Sequence, residues 1–267
     1  MPCIENNKSS ETDCFEEGET VLLVDRKNRR YLLSLTVGDE FHTHSGVIPH
    51  SDIVGIHEGT LLRNSRGAAF LALRPTFSDV VLKMPREAQI IYPKDLGALL
   101  MRVDIFSGVR VLEAGVGSGA LSMALLRAGA VVVGYEKRQD FCEFARENVE
   151  RFCGRELLER YHTEVRDVYN GISETELDRV VLDLPEPWRV VEAAADALRL
   201  GGIFCAYTPS VIQVSRLYEA LADSPFGLSE TVEVLQRSWH VVGAAVRPDH
   251  RMVAHTGFLT TSRLLAQ

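Results

Sequence analysis

The sequence predicts an α/β fold, a Rossmann-like sheet of seven strands with an antiparallel last strand, preceded by a small β-rich domain. Three observations predict it. From Val109 onward, short apolar runs alternate with amphipathic stretches, the pattern of repeated strand–helix units. The first of these runs ends in Gly115, Gly117 and Gly119, and a helical stretch follows. The last two apolar runs have no helix between them, which suits an antiparallel pair.

Taken in order, residues 1–17 read as a disordered tail. They are polar and acidic and lack the basic start and apolar stretch of a secretory signal. Residues 18–84 read as a small β-barrel-like domain. The apolar runs Thr20–Val24, Tyr31–Leu35, Ala68–Leu73 and Asp79–Leu82 are separated by turn-like stretches. Residues 85–108 form a linker with a helix at Asp95–Val103, after Pro93.

The remaining residues, 109–267, form the catalytic domain. Strands are expected at Val109–Glu113, Val131–Tyr135, His162–Arg166, Arg179–Leu184 and Ile203–Tyr207. Helices are expected at Ala120–Ala128, Gln139–Phe152, Trp188–Leu200 and Val211–Ala222. Two final strands fall near Ser229–Gln236 and Ala254–Thr261, joined by a long segment rich in Arg and His. Five strand–helix units closed by an antiparallel pair describe the class I methyltransferase sheet.

Composition excludes several classes. Apolar residues make up 46% of the chain and charged residues 25%, as in a soluble globular protein. No apolar run approaches bilayer-spanning length, so no membrane role is expected. The cysteines Cys3, Cys14, Cys142, Cys153 and Cys205 are odd in number and form no Cys-x-x-Cys pair, which argues for free thiols. The net charge of −8 opposes general nucleic-acid affinity. An RNA site must then be a local basic patch or be assembled between subunits.

The stretch Val111-Leu-Glu-Ala-Gly-Val-Gly-Ser-Gly119 carries the cofactor reading. Its spacing is Gly-x-Gly-x-Gly, whereas the dinucleotide turn sets its last glycine one residue later to bring a helix N-terminus to a pyrophosphate. Glu113, at the strand end, would repel a pyrophosphate but suits a cofactor bearing a sulfonium and an ammonium, S-adenosylmethionine. Glu136 ends the next strand and can accept both ribose hydroxyls. Asp167 ends the third and can accept from an adenine amino group. Any one of these acids can equally be a solvated or capping residue. Together, at successive strand ends beside the glycine turn, they mark the edge where open α/β sheets bind ligands.

The fourth strand ends Val181-Leu-Asp183-Leu-Pro-Glu-Pro-Trp188. The prolines stiffen the loop. Asp183 is the expected catalytic carboxylate. Adenine N1 has a free lone pair, so no proton need leave before attack, but methylation makes the ring cationic. A carboxylate accepting from the exocyclic N6 amine would orient the ring and stabilise the developing charge, an effect typically worth ~2.7–4 kcal/mol.

At these residues the chain resembles the tRNA (adenine-58-N1)-methyltransferases, in particular the bacterial single-polypeptide form. The resemblance spans about residues 18 to 264. Gln89-Ile-Ile-Tyr-Pro-Lys-Asp95 is its most specific segment. Phe41-His-Thr-His-Ser-Gly46, Leu112–Gly119, Tyr135-Glu136, Leu182–Trp188 and His255-Thr-Gly-Phe-Leu259 also carry it. It implies S-adenosylmethionine contacts at Ser118, Gly119, Ala120, Leu121, Glu136, Asp167 and Asp183, beside Gly115 and Gly117. Phe141 is counted with them, at a position where the family often has a polar residue. The resemblance also implies a cytoplasmic homotetramer acting on tRNA, with the N-terminal β domain helping to bind it.

The target adenine must be extruded from a folded tRNA. Tyr92, Trp188 and Tyr207 are candidates to stack on it, Tyr92 being equally readable as packing beside Pro93. Arg247 and Arg251 are candidate phosphate contacts, and His255 joins the substrate-binding set. Arg26, Lys27, Arg29 and Arg30 form a basic turn, readable as a solvated hairpin or as an RNA contact. His42, His44, His50 and His57 lack a supporting acid or thiol cluster, so no metal is expected. The rival readings are an N-methyltransferase for a small molecule or protein, a nucleotide-binding dehydrogenase and a non-catalytic tRNA-binding subunit.

Overall fold

The computed structural model describes residues 14–266. The chain divides into two compact units between Met84 and Pro85. The expectation of a disordered tail over 1–13 lies outside the described residues.

The first unit holds an antiparallel sheet of β1 (Thr20–Asp25), β2 (Arg30–Ser34), β5 (Leu61–Arg63) and β6 (Ala69–Leu73), in the order β2-β1-β6-β5. A separate hairpin joins β3 (Glu40–Thr43) to β4 (Gly46–Pro49). No single ladder closes the described strands into a barrel. The core gathers Phe15, Val21, Leu23, Leu35, Ile48, Ile53 and Phe70. Residues 14–17, expected in the tail, belong to this unit. Phe15 is 1% exposed, and its amide donates to the Ile56 carbonyl at 2.9 Å. An aromatic side chain amid polar residues finds more apolar surface to bury than a tail would offer.

The run Asp79–Leu82, expected as a strand, is helical, within α1 (Phe77–Lys83). Thr76 and Asp79 form a reciprocal capping box, and that local chemistry overrides the β-branched composition.

In the second unit α2 (Pro93–Arg102) buries Leu96 and Leu99, so residues 85–108 are an integral part of it rather than a linker. Next come β7 (Arg110–Ala114), α3 (Ala120–Arg127), β8 (Val131–Glu136), α4 (Gln139–Cys153), β9 (Tyr161–Val165) and β10 (Leu177–Asp183). The chain ends with α5 (Val191–Ala197), β11 (Leu198–Thr208), α6 (Val211–Ala222), β12 (Phe226–Glu233), β13 (Trp239–Val242), β14 (Ala245–Pro248) and β15 (Phe258–Leu264).

The seven-stranded sheet has the order β12-β15-β11-β10-β7-β8-β9. Strands β7 to β11 are mutually parallel, and β15 runs antiparallel to both neighbours. This is the class I methyltransferase sheet. The helix expected over Trp188–Leu200 is shorter. It opens as a 3-10 turn at Pro187–Val190, and β11 already begins at Leu198. The Arg- and His-rich connection folds partly into the β13–β14 hairpin, a pair of strands the sequence reading left out.

The chain runs outward from β7 through β8 to β9, then crosses back to β10 on the other side of β7. The C-terminal ends of β7 and β10 therefore flank the topological switch point, where such sheets leave a crevice. No described helix is long and apolar enough to cross a membrane. No group of three or more metal-ligating side chains occurs among the described residues.

Candidate active site

The glycine turn lies at that switch point. Gly115, Gly117 and Gly119 have φ of +88°, +53° and +81°, the left-handed region that glycine enters without a Cβ penalty. Gly119 caps α3, whose first residues Ala120 and Leu121 are buried. A Cβ on Gly119 would sit 3.1 Å from the Ala145 Cβ, so the glycine also brings α3 close to α4.

Two buried polar atoms at this turn have no hydrogen-bond partner among the described residues, Glu113 Oε1 and Ser118 Oγ. Unpaired buried polar atoms are costly, and a polar ligand that pairs with them offsets that cost. Glu113 is fully buried. Its Oε2 accepts from Ser122 Oγ at 2.7 Å, and Ser122 Oγ in turn meets Tyr161 Oη at 2.9 Å. Burial, with the charges of Asp183 and Glu136 nearby, pushes the Glu113 carboxyl up to about 8. A cationic ligand group would pull it back toward ionisation.

The other acids ring a cavity of about 190 Å³ lined by Gly115, Glu136, Asp167, Val168, Asp183 and Pro185, among others. Glu136 accepts from the Gly117 and Arg138 amides at 3.2 and 3.1 Å, which fixes its carboxylate at the cavity wall. Asp167 Oδ1 accepts from the Tyr169 amide at 3.0 Å, capping the 3-10 turn Val168–Asn170. Capping engages only that oxygen, and Oδ2 has no hydrogen-bond partner among the described residues. Asp183 is partly buried, and burial pushes its carboxyl up to about 7. Phe141 does not line this cavity. The Arg138 guanidinium covers its ring at 3.9 Å. Val168, Tyr169 and Leu184 do line it, and were not foreseen. The only hint was their place beside Asp167 and Asp183.

A second cavity, about 280 Å³, shares Asp183, Leu184 and Pro185 with the first and adds Gln89, Tyr207 and Thr256 to its wall. Asp183 thus stands between two spaces. Burial pushes the Tyr207 phenol up to about 12, so it stays protonated at neutral pH. Its ring lies against Gly257, where a Cβ would come within 2.4 Å of Cζ.

Behind Tyr207 runs a buried polar network. Lys94 Nζ donates to Asp95 Oδ1 at 2.8 Å, Thr256 Oγ1 at 2.6 Å and the Val234 carbonyl at 2.6 Å. Thr256 Oγ1 donates to Asp95 Oδ2 at 2.6 Å. The Tyr-Pro-Lys-Asp segment is therefore a structural tie between the start of α2 and the chain entering β15. Gln89, four residues before Pro93, also lines the cavity, a role that its sequence surroundings do not announce.

The other expected substrate residues are not among the linings of these two cavities. Tyr92 is partly buried at the N-cap of α2, outside both cavity linings. Trp188 packs on the core beneath the sheet, with the Arg216 guanidinium 5.4 Å from its ring centroid. An indole at that point gains more from burial than from facing the crevice. Arg247 and Arg251 are exposed, the first on β14 and the second just beyond it. His255 is braced by Glu233 Oε1 on Nδ1 at 2.7 Å and by the Pro209 carbonyl on Nε2 at 2.8 Å. Both partners are acceptors, and they raise its pKa, favouring the imidazolium.

Comparison with known proteins follows the same lines. Residues 69–248 match the family described as tRNA methyltransferase complex GCD14 subunit, and residues 14–62 match the TrmI-like N-terminal family. The tRNA (adenine(58)-N(1))-methyltransferase TrmI of Thermus thermophilus is 38% identical over 246 residues, covering 91% of this chain and 96% of that one. A Thermotoga maritima structure described as a SAM-dependent O-methyltransferase superposes with a TM-score of 0.92 at 33% identity, covering 97% of both chains. The tRNA (m1A58) methyltransferase TrmI of Aquifex aeolicus gives a TM-score of 0.84 at 29% identity, covering 95% of this chain and 100% of that one.

Proposed function

The chain belongs to the tRNA methyltransferase family of the GCD14 subunit, and from that premise we propose that it methylates N1 of adenine 58 in tRNA, using S-adenosylmethionine. The observation that carries the reading is the position of Asp183, in the shared wall of two cavities. One holds the strand-end acids suited to a cationic, phosphate-free cofactor. The other is lined by an amide, a phenol and prolines suited to a planar base.

S-adenosylmethionine, when bound, supplies the methyl group on a sulfonium. Glu136 and Asp167 would hold its ribose and adenine. Glu113 and Ser118, with their unpaired oxygens, suit its polar amino-acid end. On the acceptor side Asp183 orients the base by accepting from N6, leaving N1 directed at the methyl. As N1 becomes positive, the ionised carboxylate gains attraction to the ring, so it favours the transition state over the ground state. Leu184, Pro185 and Tyr207 exclude water and hold the ring in line. No residue need remove a proton before attack, because the N1 lone pair is free.

The test is an incubation of the chain with labelled S-adenosylmethionine and unmodified tRNA, followed by nucleoside analysis. 1-Methyladenosine is expected. Label in a 2′-O-methylated nucleoside, a protein or a metabolite instead would overturn the reading. Asp183→Ala is expected to keep the fold and lower the single-turnover rate roughly a hundred- to thousandfold.

The finer reading is a homotetramer acting in the cytoplasm. Its support is the exposed apolar hairpin, where Trp239, Val241 and Val246 are 58%, 65% and 60% exposed. A contiguous patch of that kind marks an interface.

A further inference from the structure

The segment that follows Asp183 has little backbone support of its own. The parallel ladder between β10 and β11 ends at Asp183, which pairs with Tyr207. Of the next four residues, Pro185 and Pro187 have no amide hydrogen to donate. The pose of this loop, and of the Asp183 carboxylate at its root, must then be set by side chains from other elements.

Two side chains meet the loop, one from each cavity wall. In the first cavity, Tyr169 Oη accepts from the Glu186 amide at 3.1 Å. Tyr169 is itself held on two further sides. Its amide donates to Asp167 Oδ1 at 3.0 Å. The Arg189 guanidinium lies 4.2 Å from its ring centroid and pairs with Glu186 at 3.0 Å. In the second cavity, Gln213 Nε2 donates to the Pro185 carbonyl at 2.9 Å. Ser210, the N-cap of α6, orients that amide. Its hydroxyl donates to Gln213 Oε1 at 2.8 Å, which turns the Nε2 end toward Pro185.

The placement of the two ties gives them a consequence. Tyr169 lines the first cavity, Gln213 lines the second, and Pro185 lines both. The loop is thus fastened once to the wall of each. A catalytic group displaced by about 1 Å can cost about a hundredfold in rate, so what fixes this loop bears on turnover.

We propose that Tyr169 and Gln213 are positioning residues that clamp residues 184–187 from the two cavity walls and so hold Asp183 between cofactor and acceptor base. The proposal rests on the methyl-transfer reading given above. It adds to that reading two residues that act through the loop and need not touch the reacting atoms.

The test compares the full-length wild type with Tyr169→Phe, which keeps the ring, and Gln213→Met, which keeps the length. Each removes one tie. Single-turnover methylation at saturating S-adenosylmethionine and tRNA should fall roughly tenfold in each variant, and on the order of a hundredfold in the double variant. Affinity for S-adenosylmethionine by calorimetry, and for tRNA by filter binding, should stay at wild-type values. A second readout needs no activity. Burial pushes the Asp183 carboxyl up to about 7, with Glu113 of β7 and Tyr207 of β11 the titratable groups near it. A loosened loop admits water to that carboxyl, so its pKa should fall back toward the ordinary carboxylate range. A raised folded-state pKa costs stability as pH rises. The melting temperature of the ligand-free double variant should therefore fall less between pH 5 and pH 8 than that of wild type.

Wild-type single-turnover rates with an unchanged stability–pH curve would overturn the proposal and leave the methylation reading intact. A lower rate that came with weaker binding of either ligand would also overturn it, by making these residues ligand contacts. A wild type that makes no 1-methyladenosine would sink the methylation reading instead. The clamp would then stand on a flatter stability–pH curve in the double variant and fall on an unchanged one.

Discussion

A Cβ placed on Gly115 would lie 2.2 Å from the carbonyl oxygen of Asp183. The two residues end neighbouring parallel strands, with Ala114 beside Leu182 in register. The glycine turn and the residue proposed as catalytic are thus pressed together by backbone contact, and Gly115 is also left-handed at φ +88°. Gly115→Ala must move the β10 end as well as strain its own backbone. We expect it to abolish measurable S-adenosylmethionine binding by calorimetry. Gly117 is a fair control. It is left-handed too, but its nearest neighbour would be 3.6 Å away. Gly117→Ala should cost only ~1–2 kcal/mol in denaturant unfolding.

Asp183 and Glu113 make the ligand-free protein sensitive to pH. Burial pushes their carboxyls up to about 7 and about 8 in the folded chain, from ordinary values of 3.8 and 4.5. Between those limits the folded state binds more protons than the unfolded state. Stability is therefore greatest below pH 4 as far as these groups are concerned, and is lost as pH rises toward 8. The melting temperature contributed by this site should fall between pH 5 and pH 8. Asp183→Asn, which cannot ionise, should raise stability at pH 8 by ~1–3 kcal/mol. A wild-type and variant pair with parallel stability–pH curves would refute the assignment.

Activity should move the opposite way. The role proposed for Asp183 uses its negative charge, which a protonated carboxyl lacks, so kcat/KM should rise through about pH 7 as the free enzyme loses that proton. Measuring kcat/KM from pH 5.5 to 8.5 checks this. A profile flat across that range would mean that Asp183 does not act through its charge.

The catalytic sheet was legible because its signals are local. Alternating apolar runs located β7 to β11, and a glycine cluster located the turn. The strand-end acids Glu136, Asp167 and Asp183 meet at one cavity because parallel strands bring their C-terminal ends to one edge. Features set by long-range packing were not legible. Nothing near Trp188 in sequence announces Arg216 or the core it covers. Phe141 was placed among the cofactor contacts by position, but Arg138 stacks on it. The β13–β14 hairpin escaped notice because its charged and apolar residues alternate weakly over only four residues per strand. Phe15 was lost in an acidic stretch, although a single aromatic sufficed to anchor it.

The Lys94–Asp95 pair is tied to the wall of the second cavity through Thr256. Their side chains are 8% and 1% exposed, and Thr256 completes the network. Lys94→Met leaves Asp95 charged, buried and short of a partner, which should cost ~3–5 kcal/mol. Replacing both residues, Lys94→Met/Asp95→Leu, removes the stranded charge and should cost less than the single change. In the double variant Tyr207 loses the support that Thr256 draws from Asp95. We expect a raised KM for tRNA at near-normal S-adenosylmethionine affinity. A double variant with wild-type KM would confine the pair to stability.

If the chain assembles as the homotetramer proposed above, the β13–β14 hairpin should be one of its contacts. A two-stranded ribbon is at best marginally stable in water by itself, and this one pairs Val241 with Val246 while both are mostly exposed. Packing on another chain would cover these apolar strands. Val241→Asp/Val246→Asp places two like charges opposite each other on that surface, which disfavours both the ribbon and any apolar contact. Light scattering should give a tetramer mass for wild type and a smaller one for the variant. The melting transition of the seven-stranded sheet should shift little, because neither valine contributes to the described core. A tetramer that survives both substitutions would place the interface on another face, and a monomeric wild type would remove the assembly altogether.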